Sequence, residues 1–353
     1  MFGKKKHKVQ IWSAITSIIV LVGCTESKTS TVEGTSILGE TQGTTYNVII
    51  AESNPDVTKD QLDSLFLSFD NSLSTYVNTS VISKLNQSND SIALYDKSHY
   101  FKDCYLVSQS IFEKTNGLFD PSVFPLVKGW GFMNNMDTPL SKESVDSILK
   151  FVNFEKQLLH DVRFSGDSIH FSKNHHSFML DFNAIAQGQS VDVVDDFLAS
   201  KGLKNYYIEI GGEIVVRGKN REGIDWRIGI DVPKENLEER ELENILSVSN
   251  KAVATSGNYR KFYIKDGVKY AHSLNPKTGF PVHHSLLSAT VIADDCATAD
   301  GYATAFMVMG TEATLEFVNN NPDLNLEVYL LSADCEGGVV RSMSSGFESF
   351  IAE

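Results

Sequence analysis

Apolar positions recur at helical spacing in several stretches. In Thr58–Leu73 the residues Leu62, Leu65, Phe66, Phe69 and Leu73 share one face, and Thr58 stands where a cap belongs. The same reading gives helices over Ser98–Thr115, stopped by Asn116-Gly117, and over Ser141–Lys150, Ile185–Ser200, Asp295–Met309 and Glu312–Asn319. Alternating or β-rich runs predict strands at Gly43–Ala51, Trp226–Asp231, Phe262–Lys265, Lys269–Leu274 and Leu286–Ala293, and near Leu326–Leu331 and Val339–Met343. Asn205–Ile210 and Ile214–Arg217 read as a hairpin turning at Gly211-Gly212, and Phe178–Leu180 as a short apolar strand ending at Asp181. Strands mostly follow strands, with helices between the groups. This order predicts an α+β fold of mixed, largely antiparallel sheets with flanking helices.

The first residues follow a different pattern. Met1–Lys8 is basic and Val9–Val22 is apolar but too short to span a bilayer, as in a signal segment. The run ends in Leu21-Val22-Gly23-Cys24, which resembles a bacterial lipobox, with cleavage expected before Cys24 and acylation on it. Thr25–Glu40 is rich in Ser, Thr, Glu and Gly. The expected organisation is therefore a signal peptide over 1–23, a flexible tether over 24–38 and one domain over 39–353. Removing the leader takes away four lysines and no acidic residue, which moves the net charge from −14 to −18. So acidic a chain lacks the basic face that nucleic-acid binding needs. Cys104, Cys296 and Cys335 are an odd set, expected to be small buried apolar residues and not a disulfide framework.

Three segments concentrate polar residues beyond what a core asks for. In Asp295–Ala305, Asp300 and Thr304 are four apart and share a helix face, a hard-oxygen pair suited to Mg²⁺ and equally to a cap. In Asp181–Asp192, Asp181 sits between strand and helix. In Tyr270–Pro281, His272 lies near a strand end before the turn dipeptides Asn275-Pro276 and Thr278-Gly279, where it is a candidate base. No GxGxxG or Walker A sequence is present.

These segments, in this order, resemble the FAD:protein FMN transferase (ApbE) family. The resemblance runs from about Gly39 to the end and includes Thr41–Tyr46, Leu73–Tyr76, Gly117–Pro121, Trp130-Gly131-Phe132, Ile210–Glu213 and Ala254–Tyr259. It implies an FAD groove between two intimate lobes. The metal site would be Asp300, Thr304 and the Ala184 carbonyl. Gln42, Tyr76, Leu118, Phe119, Asp120, Asp181, Gln187, His272, Ser273 and Leu274 would line the groove. Gln42 stands where the family commonly has Met, Gln187 where Lys is frequent, and Gly301 where Ala is common.

The reaction so implied is Mg²⁺-dependent transfer of FMN from FAD to a Thr or Ser hydroxyl of a partner protein, with AMP released. His272 would be the base; alternatively a carboxylate such as Asp181 takes the proton and His272 steadies the phosphate. The implied partners are exported flavoproteins or electron-transfer subunits of sodium-pumping or Rnf-type complexes, met by an enzyme anchored to a bacterial membrane and facing the periplasm. An FAD pyrophosphatase and a non-catalytic FAD-binding lipoprotein use the same residues and stay open at this point. Trp130 is expected to be a packing residue.

Overall fold

The longest sheet is assembled from strands far apart in the chain. The computed structural model describes residues 34–132, 140–155, 157–233, 241–258, 262–265, 268–271, 273–336 and 338–353, the segments 262–265 and 268–271 by backbone alone. The strands are β1 Thr35–Thr41, β2 Thr44–Ile50, β3 Ile92–Tyr95, β4 His160–Ser165, β5 Ser168–Lys173, β6 Tyr206–Ile210, β7 Glu213–Arg217, β8 Trp226–Asp231, β9 Leu242–Val248, β10 Lys251–Gly257, β11 Phe262–Lys265, β12 Val268–Ala271, β13 Leu286–Ala293, β14 Glu327–Ala333 and β15 Val339–Met343. The helices are α1 Lys59–Leu73, α2 Val81–Gln87, α3 Tyr100–Lys114, α4 Phe124–Gly129, α5 Lys142–Leu149, α6 Ala186–Ser200, α7 Cys296–Met309 and α8 Thr311–Asn320. An eight-stranded sheet runs in the order β1-β2-β6-β7-β10-β13-β14-β15. Beside it are a three-stranded sheet, β3-β5-β4, and the hairpins β8-β9 and β11-β12. Every described pairing of these strands is antiparallel, in keeping with the α+β expectation.

Both faces of the large sheet are covered, and the strands show it residue by residue. Ala252, Ala254, Val291 and Leu330 enter the main core beneath α1, α3, α6 and α7. Their neighbours Val253, Ile292, Tyr329 and Leu331 enter a second core with Trp226, Ile228, Leu246 and Phe347. A strand buried on both faces needs no polar alternation, which is why Leu286–Ala293 is almost continuously apolar. The helix α7 is likewise buried nearly all round, and its alanines at 297, 299, 303 and 305 let neighbouring elements approach closely. Asp300 is thus a carboxylate inside the core. Among the described residues no helix is long and apolar enough to cross a membrane.

Local signals placed several boundaries well. Thr58 and Gln61 form a reciprocal capping box at α1. Asn116 and Gly117 both take positive φ after α3, and the Gly117 amide donates to the Phe112 carbonyl at 2.8 Å. Other expectations need correction. The tether does not reach 38, because Thr35–Leu38 already pairs with β2. This is an edge strand with only Ile37 buried, so its composition looks like a linker. Phe178–Leu180 joins no ladder; instead the Asn86 side chain accepts from Leu180 N at 2.8 Å and donates to its carbonyl at 2.7 Å, in the manner of a strand partner. Cys104 and Cys296 are buried as expected, but Cys335 is exposed, in the turn between β14 and β15. Residues 1–33, with Cys24, lie outside the described residues.

Candidate active site

The site is built where the first turns of α6 and α7 cross. Ile185, which precedes α6, offers no side-chain cap. The missing cap comes from α7: Asp300 Oδ2 accepts the Gly188 amide, in the first turn of α6, at 3.0 Å. In return, Asp192 of α6 accepts the Cys296 and Ala297 amides of α7 through its two oxygens, both at 2.8 Å. Asp295 caps α7 locally through the Thr298 amide at 2.8 Å. The helices can approach this closely because residue 188 is glycine. A Cβ there would press into the Cys296 carbonyl oxygen and stand 2.8 Å from Asp300 Cβ.

One turn beyond Asp300, Thr304 Oγ1 is 3.5 Å from the Ala184 carbonyl oxygen and 3.4 Å from Ser256 Oγ on β10. Asp300, Thr304 and Ala184, chosen from spacing and resemblance, are therefore brought together. They comprise a carboxylate, a hydroxyl and a carbonyl, the hard oxygens that Mg²⁺ takes. Burial pushes the Asp300 carboxyl up to about 7, against the pull of the Gly188 amide. No lysine or arginine pairs with it among the described residues, so a divalent cation fits both the donor set and the missing charge. That cation would be held by Asp300 and Thr304, with the Ala184 carbonyl completing the set.

Around this centre the other expected residues divide. The Asp181 amide donates to the Pro121 carbonyl at 2.8 Å, which ties it to the Leu118–Asp120 turn. Its own carboxyl is pushed up to about 6 by burial, while Asn183 donates to it from backbone and side chain. Asp181 and Asp300 both lie within electrostatic reach of Cys104, whose buried thiol stays protonated. Gln42 turns at positive φ between β1 and β2, and Ser190 Oγ links it to Gln187, donating at 3.4 Å to Gln42 Oε1 and at 2.7 Å to the Gln187 carbonyl. The Gln42 Nε2 is buried and has no partner among the described residues. The Gln187 amide packs over Gly211 in the β6–β7 turn.

Some side chains do not face a ligand as expected. Asp120 spends its carboxylate on other parts of the protein, on the Ser122 amide and hydroxyl at 2.7 and 2.6 Å and on the Phe154 amide beyond α5 at 3.3 Å. Burial lifts it to about 6. Phe119 is buried in the main core and Leu118 is half-buried. The Leu274 side chain packs in a small cluster with Leu126, Trp130, Val145 and Val152, so only its backbone is free to meet a ligand. Trp130 is a packing residue whose Nε1 donates to the Gly279 carbonyl at 2.8 Å. Ser273 gives its hydroxyl to Asn258 Oδ1 at 2.6 Å, and Tyr76 is 73% exposed. His272 lies outside the described residues. Sequence reasoning missed Ser256, Asp192 and Gly188. The last two are one helical turn apart, the same i, i+4 signal that singled out Asp300 and Thr304.

The sequence profile of the ApbE family matches residues 42–330. The chain belongs to that family. The FAD:protein FMN transferase of Vibrio cholerae is 32% identical over 348 residues, covering 96% of this chain and 98% of that protein. The solved structure of the flavin transferase ApbE from Vibrio cholerae superposes with a TM-score of 0.77, over 90% of this chain and 99% of that one. The apo flavinyl transferase ApbE of Pseudomonas stutzeri, 26% identical, gives 0.78 over 91% and 98%. This agreement extends over about nine-tenths of the chain.

Proposed function

We propose that this ApbE-family enzyme is an FAD:protein FMN transferase that cuts the FAD pyrophosphate and places FMN on a Thr or Ser hydroxyl of a partner protein. The observation that supports it most is the convergence of Ala184, Asp300 and Thr304 at the α6–α7 crossing, within a family whose relatives carry that name. The acceptor oxygen forms a bond to the FMN-side phosphorus. The phosphoanhydride bond to the AMP oxygen breaks, and AMP leaves. His272, or Asp181 in its place, takes the hydroxyl proton. Asp300, Thr304 and the Ala184 carbonyl would hold Mg²⁺, which would supply charge neutralisation on the transferring phosphate and the leaving oxygen. Gln42, Gln187 and the Leu118–Asp120 turn border the flavin nucleotide.

In the same reading, acylation at Cys24 holds the enzyme on a bacterial membrane facing the periplasm. There it meets exported flavoproteins, or electron-transfer subunits of sodium-pumping and Rnf-type complexes. The test is to incubate the enzyme with FAD, Mg²⁺ and a threonine-bearing acceptor domain and to weigh the acceptor. A gain equal to an FMN phosphoester supports the proposal; free FMN and AMP with an unmodified acceptor would replace transfer by hydrolysis. In that assay His272→Ala is expected to lose roughly 10²–10⁴-fold in rate while still binding FAD. A wild-type rate would remove His272 from its role.

A further inference from the structure

The three oxygens of the site come from three places: the loop before α6, and two positions one turn apart on α7. Something must set the two helices against each other closely enough to make one site of them. Two contacts do so. Asp300 reaches from α7 to the start of α6, and Asp192 reaches from α6 to the start of α7. Asp192 is one turn from Gly188 on α6, and Asp300 is one turn from Cys296 on α7. The two helix starts and the two aspartates thus form a closed ring, and the Ala184 carbonyl and Thr304 hydroxyl hang from it.

We propose that Asp192 is a positioning residue for the metal site. It touches neither metal nor substrate, but by holding both first-turn amides of α7 it fixes where Asp300 and Thr304 stand relative to the Ala184 carbonyl. This rests on the reading that those three groups hold a divalent cation. The bidentate acceptance is what gives Asp192 this control. One hydrogen bond would let α7 pivot about it, whereas two amides on two oxygens fix both its height and its rotation. The local cap, Asp295, bonds only within α7 and cannot fix it to α6. Asp192→Asn keeps the volume but turns one acceptor into an N–H donor facing a backbone N–H.

The test is a titration of the full chain with Mn²⁺, reading free Mn²⁺ by electron paramagnetic resonance, so that no turnover is involved. Wild type, Asp300→Ala, Asp192→Asn and Val318→Ala are compared, the last a buried α8 residue that contributes no group to the ring. Wild type is expected to bind one ion and Asp300→Ala none. If wild type binds none, the metal-site reading itself fails. Given binding, Asp192→Asn is expected to raise the Kd about tenfold or more, as loss of a group supporting metal ligands does. Val318→Ala is expected to lower thermal stability without moving the Kd. An unchanged Kd in Asp192→Asn overturns the proposal, and so does an equal rise in Val318→Ala, which would make any loss of stability sufficient. An Asp192→Asn chain that does not fold even at low temperature also overturns it, because Asp192 would then determine the fold and not the placement of two helices.

Discussion

Adding one methyl group at Gly188 should separate α6 from α7 and spoil the site without removing any group from it. In Gly188→Ala the new Cβ would press into the Cys296 carbonyl oxygen and stand 2.8 Å from Asp300 Cβ, about 0.7 Å inside the ~3.5 Å at which carbons rest in contact. Two terms oppose each other. Alanine in a helix interior gains about 1 kcal/mol over glycine. Overpacking costs about 1–3 kcal/mol, and here toward the upper end, because the obstructing oxygen is backbone whose neighbouring amides are held by Asp192. The net is a loss of about 1–2 kcal/mol, or a fall of several degrees in Tm for a domain of this size. The functional effect should be larger. A displacement near 1 Å at a reacting centre can cost about 10²-fold in rate, so the Mg²⁺ needed for half-maximal flavinylation should rise at least tenfold. Gly301→Ala is the control. Its Cβ would meet the tip of the Ile111 side chain and, at 3.3 Å, that of Ile185, both of which can turn aside. It should therefore stay within about 1 kcal/mol of wild type by the same propensity gain, with Mg²⁺ dependence unchanged. A Gly188→Ala enzyme of wild-type stability and Mg²⁺ response, or equal harm from Gly301→Ala, would refute the reasoning.

Asp120 carries a pH signature. Its folded pKa, about 6, lies above the ordinary unfolded value, so its contribution is complete below about pH 4 and is lost as pH rises through about 6. Urea melts at pH 4.5 and 7.5 should show wild type losing about 2 kcal/mol more than Asp120→Asn over that interval; parallel pH profiles would contradict it. Ser256→Ala removes the β10 hydroxyl beside Thr304 and should raise the Mg²⁺ requirement severalfold with little change in Tm, since Ser256 is only half-buried. Mg²⁺ and FAD should each raise the other's affinity by one common factor, on the order of 5–150-fold. Flavin fluorescence titrations with and without Mg²⁺ measure it, and an FAD affinity indifferent to Mg²⁺ would count against the site.

What was legible in the sequence depended on how local its cause is. Thr58 with Gln61, and Asn116-Gly117, specify the ends of α1 and α3 through neighbouring residues, and those ends fall within two residues of expectation. The strands β8 and β13 match the expectation to the residue. The strands that escaped are short or carry few large apolar side chains. Lys251–Gly257 carries short and polar side chains and becomes a strand by lying between β7 and β13, while Ser168–Lys173 has only Ile169 and Phe171 as its apolar alternation and is fixed by lying between β3 and β4. The site divides in the same way. Asp300 and Thr304 are visible because one helix turn puts them together. That Asp300 also caps a different helix, and that Asp192 returns the contact, depends on a crossing that the sequence does not spell out.

The crossing also determines how the site can deal with charge. A helix N-terminus is an ordinary place to hold a phosphate, yet the Gly188 amide of α6 and the Cys296 and Ala297 amides of α7 are already given to aspartates. No lysine or arginine pairs with Asp181 or Asp300 among the described residues. The protein has thus used its first-turn amides to fix carboxylates in place. An anionic pyrophosphate entering beside those carboxylates meets like charge in a site of low dielectric, where repulsion is poorly screened. Only a group that is positive and binds both partners can reverse that sign, and the oxygens of Ala184, Asp300 and Thr304 suit a divalent cation. The absence of a glycine-rich phosphate loop from the sequence agrees with the proposed metal site: phosphate would be met through a cation on these oxygens, and the first-turn amides of α6 and α7 are already employed in holding Asp300 and Asp192.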